Sequence, residues 1–184
     1  MSGRGYYGWW IVAGVFLVLT ISSGFGFYNL SVYINVLAGA RGFSVSEVSV
    51  AVSLFFVVGG VTGMMVARLI DLYDVRWVMI GGAALGGASL GFVGHATELW
   101  QLYALFTLFG IGNSAISIVT STTLVTRWFP GPNRSVALSI ASTGLSAGGI
   151  VVTPLSARLL NQWGLEATIP WFGLLFFLLV LPVA

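Results

Sequence analysis

The chain has 184 residues, 58% of them hydrophobic and only 7% charged, with a mean hydropathy of +1.01. A water-soluble domain carries roughly 25% charged residues, so a fully solvated globular surface is excluded. The net charge of +2 comes from seven scattered Arg and no Lys, and there is no Cys; no nucleic-acid partner is implied without a basic patch, and disulfide or thiolate chemistry is ruled out.

The apolar residues fall in runs of about 20, the length that crosses a bilayer core of roughly 30 Å as a helix. Six spans are predicted. The first runs from Trp9 to Asn35; it is too long for a secretory leader and has no small-residue cleavage site, so it reads as a retained helix. The second covers Val48–Ile70, the third Trp77–Gly94, the fourth Leu99–Thr126 and the fifth Ser135–Leu160. The sixth begins near Thr168 and is still running at Ala184, which is 17 residues, or about 25 Å of helix. No polar or basic residue closes it. The expectation is a domain over 1–184 that is cut within its sixth helix. Strands are not expected, because a barrel shows short alternating segments and not continuous apolar ones. The fold class is all-α, a polytopic membrane helical bundle.

Nearly every charge sits between the spans. Arg4, Arg68, Arg76, Arg127 and Arg134 fall on one side, and Arg41 and Arg158 on the other, a split of five to two. Positive loops stay cytoplasmic, which places the N-terminus inside a multi-pass protein of the cell membrane. Glu47, Glu98 and Glu166 then face outward. The 25 Gly lie mostly inside the spans, where they let helices approach closely in lipid. The small-xxx-small spacing recurs at Gly59 and Gly63, Gly82 and Gly86, Gly87 and Gly91, and Gly144 and Gly148. Helix packing accounts for it, and smooth contacts also permit rocking between states.

Four stretches carry a resemblance to the major facilitator superfamily, in the branch of oxalate/formate antiporters and monocarboxylate transporters. The entry Tyr7-Gly8-Trp9-Trp10-Ile11-Val12 is similar to that branch's aromatic start. Ala67 to Arg76 resembles the superfamily's Gly-x-Leu-x-Asp-Arg-x-Gly-x-Arg loop, with Leu69, Asp71 and Arg76 in place and Ala67, Leu72 and Asp74 departing from it. Gly110-Ile111-Gly112, then Arg127-Trp128-Phe129-Pro130, then Arg134-Ser135-Val136-Ala137 form the most specific series. Gly144, Gly148-Gly149 and Pro154-Leu155 resemble the family's Gly-rich fifth span. The resemblance implies six transmembrane helices as two three-helix repeats, half of a twelve-helix fold. Gly24, Gly26 and Ser31 parallel Gly110, Gly112 and Ser117 in the two repeats. It implies a cytoplasmic gating loop at Asp71 and Arg76, incomplete here as a latch. It also implies a missing C-terminal half, or a second copy, as partner beside the lipid bilayer and a small-molecule substrate.

Polar residues at membrane depth face the interior of a bundle. Ser139, Ser142 and Ser146 lie on one stripe of the fifth span, with Ser135 and Thr153 extending it. Ser22, Asn29 and Tyr33 share a face of the first, and Asn113, Ser117 and Thr120 a face of the fourth. These are the candidate substrate pathway. Ser and Thr also bond back to their own helix, and Asn can be spent on interhelical packing. No Asp, Glu, Lys or His falls mid-membrane, and no metal, cofactor or acid–base pair is implied. The expected function is secondary active or facilitative transport of a small solute, an organic anion such as a mono- or dicarboxylate, by alternating access. A self-assembling pore or a non-transporting membrane scaffold is the alternative, and an enzyme is not expected.

Overall fold

In the computed structural model, which describes the backbone of residues 3–183 and side chains from residue 7, each predicted span is a helix or a pair of helices. The first is α1 (Gly3–Ser23), a π-helical turn (Gly24–Tyr28) and α2 (Leu30–Arg41). The second is α3 (Val45–Leu72) and the third α4 (Val75–Val93). The fourth is α5 (Leu99–Ala115) followed by α6 (Ile118–Trp128). The fifth is α7 (Arg134–Ala147), a second π-helical turn (Gly148–Val152) and α8 (Thr153–Trp163). The sixth is α9 (Leu165–Val180). No strand occurs among the described residues.

Five apolar helical stretches are long enough to cross a membrane, and α9, at 16 residues, is shorter. The sixth helix thus begins three residues before Thr168 and stops before Ala184. Gly164, at φ +77°, turns the chain straight from α8 into α9. At the other end Pro182 has no N–H to continue the ladder, and Leu181–Val183 form a turn.

The helix ends are set by local chemistry. Ser44 caps α3 by accepting the Glu47 N–H at 3.2 Å, while the Glu47 carboxylate accepts the Ser44 N–H at 2.8 Å, the reciprocal arrangement that satisfies two end donors. The Asp74 carboxylate accepts the Arg76 N–H at 3.0 Å and starts α4. Gly42, at φ +73°, ends α2 in the left-handed region that only Gly enters freely.

The second span packs along the fourth, and the first along the fifth, while α4 is sandwiched between α5 and α9. A stack of rings fills the centre: Phe55 on Phe109 at 5.1 Å and Phe109 on Phe176 at 5.6 Å. Lipid is as apolar as these side chains, so close dispersion contact, not water exclusion, holds the helices. The α4–α9 crossing shows how close: an added Cβ on Gly87 would lie 2.6 Å from the Gly173 carbonyl.

The two repeats share more than the glycines. Arg41 and Arg127 stand 86 residues apart, the offset that also relates Gly24 to Gly110 and Ser31 to Ser117. Arg41 ends α2, donates to the Gly94 carbonyl where α4 ends, and pairs with Glu166 at 2.8 Å. Arg127, in the last turn of α6, donates to the Ile70 carbonyl at 3.3 Å near the end of α3. Each guanidinium thus meets the negative end of a neighbouring helix dipole. The side chain of Arg4 lies outside the described residues.

Candidate functional site

The fourth span is not one helix. Its 30 residues centre on Asn113 and Ser114, and three residues further on the backbone leaves the α region. The Ile116 N–H turns back to the Asn113 carbonyl at 3.2 Å and the Ser117 N–H to the Ser114 carbonyl at 3.3 Å. Ser117 then takes ψ 178° and α6 starts afresh, its first ladder bond running from the Ser121 N–H to the Ser117 carbonyl at 3.1 Å. Irregular backbone at membrane depth persists only where protein buries it or a cavity receives it.

Here a cavity does. A recess of about 570 Å³ opens between the first, second and fourth spans, walled by Phe27, Phe56 and Met64 on one side and Asn113, Ser114 and Ser117 on the other. Phe27 and Phe56 meet edge to face at 5.5 Å and bridge the first and second spans. None of the lining residues carries a charge. The Asn113 carboxamide is held in place: its Oδ1 accepts the Ser22 hydroxyl at 2.8 Å, and a Cβ on Gly26 would touch it at 2.8 Å. The Thr62 hydroxyl donates to Ser114 at 3.1 Å, and Ser114 donates to the Ile111 carbonyl at 2.7 Å.

The structure sorts the residues named from sequence into three places. Asn113 and Ser117 line the cavity. Thr120, three residues past Ser117 on the same expected stripe, is fully buried with its hydroxyl unpartnered; the break at Ser117 rotates α6, so helical spacing no longer holds across it. Asn29 and Tyr33 are also fully buried and do not line the cavity. The Asn29 amide donates to Ser156 of α8 at 2.7 Å and to the Tyr33 hydroxyl at 3.4 Å. Ser22 was expected on their face, but the π turn between Ser22 and Asn29 changes the phase and sends Ser22 to the fourth span instead. Ser139 and Ser146 are exposed and Ser142 half-buried on α7, away from this cavity. Asp71 and Arg76 are exposed at the adjoining ends of α3 and α4 and make no ion pair with each other. Ser114 lines the cavity beside its direct neighbour Asn113 near the end of α5, and it is not among the residues named from sequence.

Residues 16–184 match the Major Facilitator Superfamily. Among curated proteins the chain is 31% identical over 157 residues to "Probable anion transporter 4, chloroplastic" of Arabidopsis thaliana, covering 83% of this chain and 29% of that protein. It is 29% identical over 139 residues to "Uncharacterized MFS-type transporter YcxA" of Bacillus subtilis (75% and 34%). It is 26% identical over 176 residues to the "Oxalate:formate antiporter" of Oxalobacter formigenes (96% and 41%). The chain therefore spans between 29% and 41% of the length of these three relatives. A bundle of apolar helices with a broken fourth span, matched to the family over nearly its whole length, belongs to the Major Facilitator Superfamily.

Proposed function

We propose that this chain forms the N-terminal six-helix domain of a secondary carrier for a small organic anion, a mono- or dicarboxylate, working by alternating access. The observation that carries this reading is the break at Ser117. It leaves the N-terminal end of α6 beside the cavity, with Ser117 and Val119 in the cavity wall. The first N–H groups of a helix lack intrahelical partners, and the positive end of its dipole favours an anion. Broken helices that present such ends at the midplane are how carriers hold charged substrates. Two relatives, a probable anion transporter and an oxalate:formate antiporter, agree with that polarity. Since no charged side chain lines this recess, a cation facing the substrate comes from the opposing half of the carrier, or from a second copy. In the same reading the protein sits in the cell membrane with the ends at Arg68, Arg76, Arg127 and Arg134 in the cytoplasm, and Asp71 and Arg76 belong to the gating loop there.

The test is uptake by the carrier reconstituted in liposomes. Labelled formate, oxalate and succinate are offered against internal unlabelled anion. Saturable uptake that rises with the internal anion supports the reading. Uptake competed only by neutral or cationic solutes overturns the substrate class, and no uptake of any solute overturns the carrier.

A further inference from the structure

At its N-terminal end α1 keeps one face uncovered. Tyr7, Trp10, Ala13 and Leu17 are exposed at steps of three, three and four residues, so they share one side of the helix. That side opens on a groove of about 430 Å³ between α1, the start of α4, the end of α6 and the turn after α9. The mouth of the groove is aromatic and charged, formed by Tyr7, Trp10, Trp128 and Arg76. The Tyr7 and Trp128 rings stand 5.4 Å apart and bridge α1 to α6. Deeper in, the walls are Gly14, Leu17, Leu124 and Val183, all without polar side chains. The groove shares no lining residue with the recess beside Ser117.

Its depth and polarity match one lipid molecule. Tyr7 to Leu17 is a rise of 10 residues, about 15 Å of helix, which is half of a bilayer core of roughly 30 Å and so the depth of one leaflet. Trp and Tyr settle at headgroup level, and here they surround a cation. The Asp74 carboxylate takes only the backbone N–H of Arg76, and among the described residues the Arg76 guanidinium has no ion-pair partner. The charge of this end favours an anion. Arg68, Arg76, Arg127 and Arg134 outnumber the carboxylates Asp71 and Asp74, whereas at the opposite end Arg41 and Arg158 are outnumbered by Glu47, Glu98 and Glu166.

We propose that this groove holds an anionic phospholipid of the adjoining leaflet, with its phosphate on Arg76 among the Tyr7, Trp10 and Trp128 rings and one acyl chain along Ala13, Gly14 and Leu17. A zwitterionic headgroup would bring its own ammonium to a cation that no carboxylate neutralises, so the site selects a net negative charge. One Arg near the membrane surface gives about a fivefold preference for such a lipid. The site lies wholly within this chain and does not rest on the carrier reading.

The test titrates the full-length protein in detergent with equimolar phosphatidylglycerol and phosphatidylcholine and counts retained lipid by native mass spectrometry. Phosphatidylglycerol is expected to be retained about fivefold better, and Arg76→Gln to bring the two lipids to parity. Arg134→Gln removes the same charge from an exposed residue of the same end that lies outside the groove, and it is expected to keep the preference. Ala13→Trp fills the groove with Arg76 in place and is expected to abolish retention. Equal retention of both lipids by the unaltered protein, as a protein segment seated in the groove would give, overturns the proposal. So does an equal loss of preference in Arg76→Gln and Arg134→Gln, which marks general surface charge. Retention undiminished in Ala13→Trp overturns it as well, and displacement by inorganic phosphate would then mark a free-anion site. Should Arg76→Gln fail to fold, Ala13→Trp decides.

Discussion

The two asparagines of the candidate pathway do different work, and one substitution at each shows it. Asn29 is enclosed, and its amide is spent on Ser156. Asn29→Leu should lower the yield of folded protein, at the roughly 0.6–2 kcal/mol that an interhelical hydrogen bond contributes in membranes, and leave transport per surviving molecule unchanged. Asn113 faces the cavity. Asn113→Leu should leave membrane expression intact and shift the apparent affinity or selectivity for anions in liposome uptake; the opposite pattern at the two sites would reverse the assignment. Arg41 supplies a third contrast. Its side chain is 20% exposed and bonds the Gly94 carbonyl, whereas its ion-pair partner Glu166 is 68% exposed. A charged hydrogen bond to a carbonyl is worth about 1.5–3 kcal/mol and an exposed ion pair about 0–1. Thermal unfolding in detergent should therefore fall clearly for Arg41→Ala and little for Glu166→Gln.

Helices show how far spacing alone can be trusted. Gly59 and Gly63 read from sequence as one packing motif, yet a Cβ on Gly63 meets nothing within 4 Å while one on Gly59 sits 3.3 Å from the Gly110 carbonyl. Gly112, in none of the four spaced pairs, is packed harder: its Cβ would lie 2.6 Å from the Gly86 Cα. Gly112→Ala should cost about 1–3 kcal/mol by overpacking, and Gly63→Ala should be neutral; melting temperatures of the two variants separate these outcomes. The same logic explains what the sequence made legible. Existence and order of the six helices follow from the apolar runs, whereas the spans begin at Val48, Trp77 and Thr168 by hydropathy but at Val45, Val75 and Leu165 in the structure, where Ser44, Asp74 and Gly164 set the ends. The π turns and the break at Ser117 did not show. No residue type marks a π turn, and Gly24, Gly26 and Gly148 read as packing residues with or without one. Each polar stripe assumed an unbroken 3.6-residue period. The period breaks across Ser117, beyond which Thr120 is buried, and across Gly24–Tyr28, where Ser22 turns to Asn113 while Asn29 and Tyr33 stay buried together.

For the whole molecule the orientation is open to direct test. Ala40 is exposed beside Arg41, and Tyr73 is exposed near Arg76. Ala40→Cys should react with an impermeant thiol reagent on intact cells and Tyr73→Cys should not; the reverse labelling would invert the topology. The one-sided cavity carries a second expectation. Its walls come from three spans and leave the recess open, so the 184-residue chain alone, purified into liposomes, should take up formate or oxalate no faster than empty vesicles. Uptake by the chain alone would mean that a second copy supplies the facing wall.

The joint at Gly164 bears on how the protein is made. One residue, Gly164, separates α8 from α9, so the two are made and presented to the membrane in immediate succession. Their loads differ greatly. α8 carries Ser156, Arg158, Asn161 and Gln162 within 11 residues, at the outer end of the span. α9, from Ile169 to Val180, holds only apolar residues, Gly and one Pro. The two are therefore expected to enter the bilayer as a hairpin, with the apolar sixth helix offsetting the polar load at the outer end of the fifth.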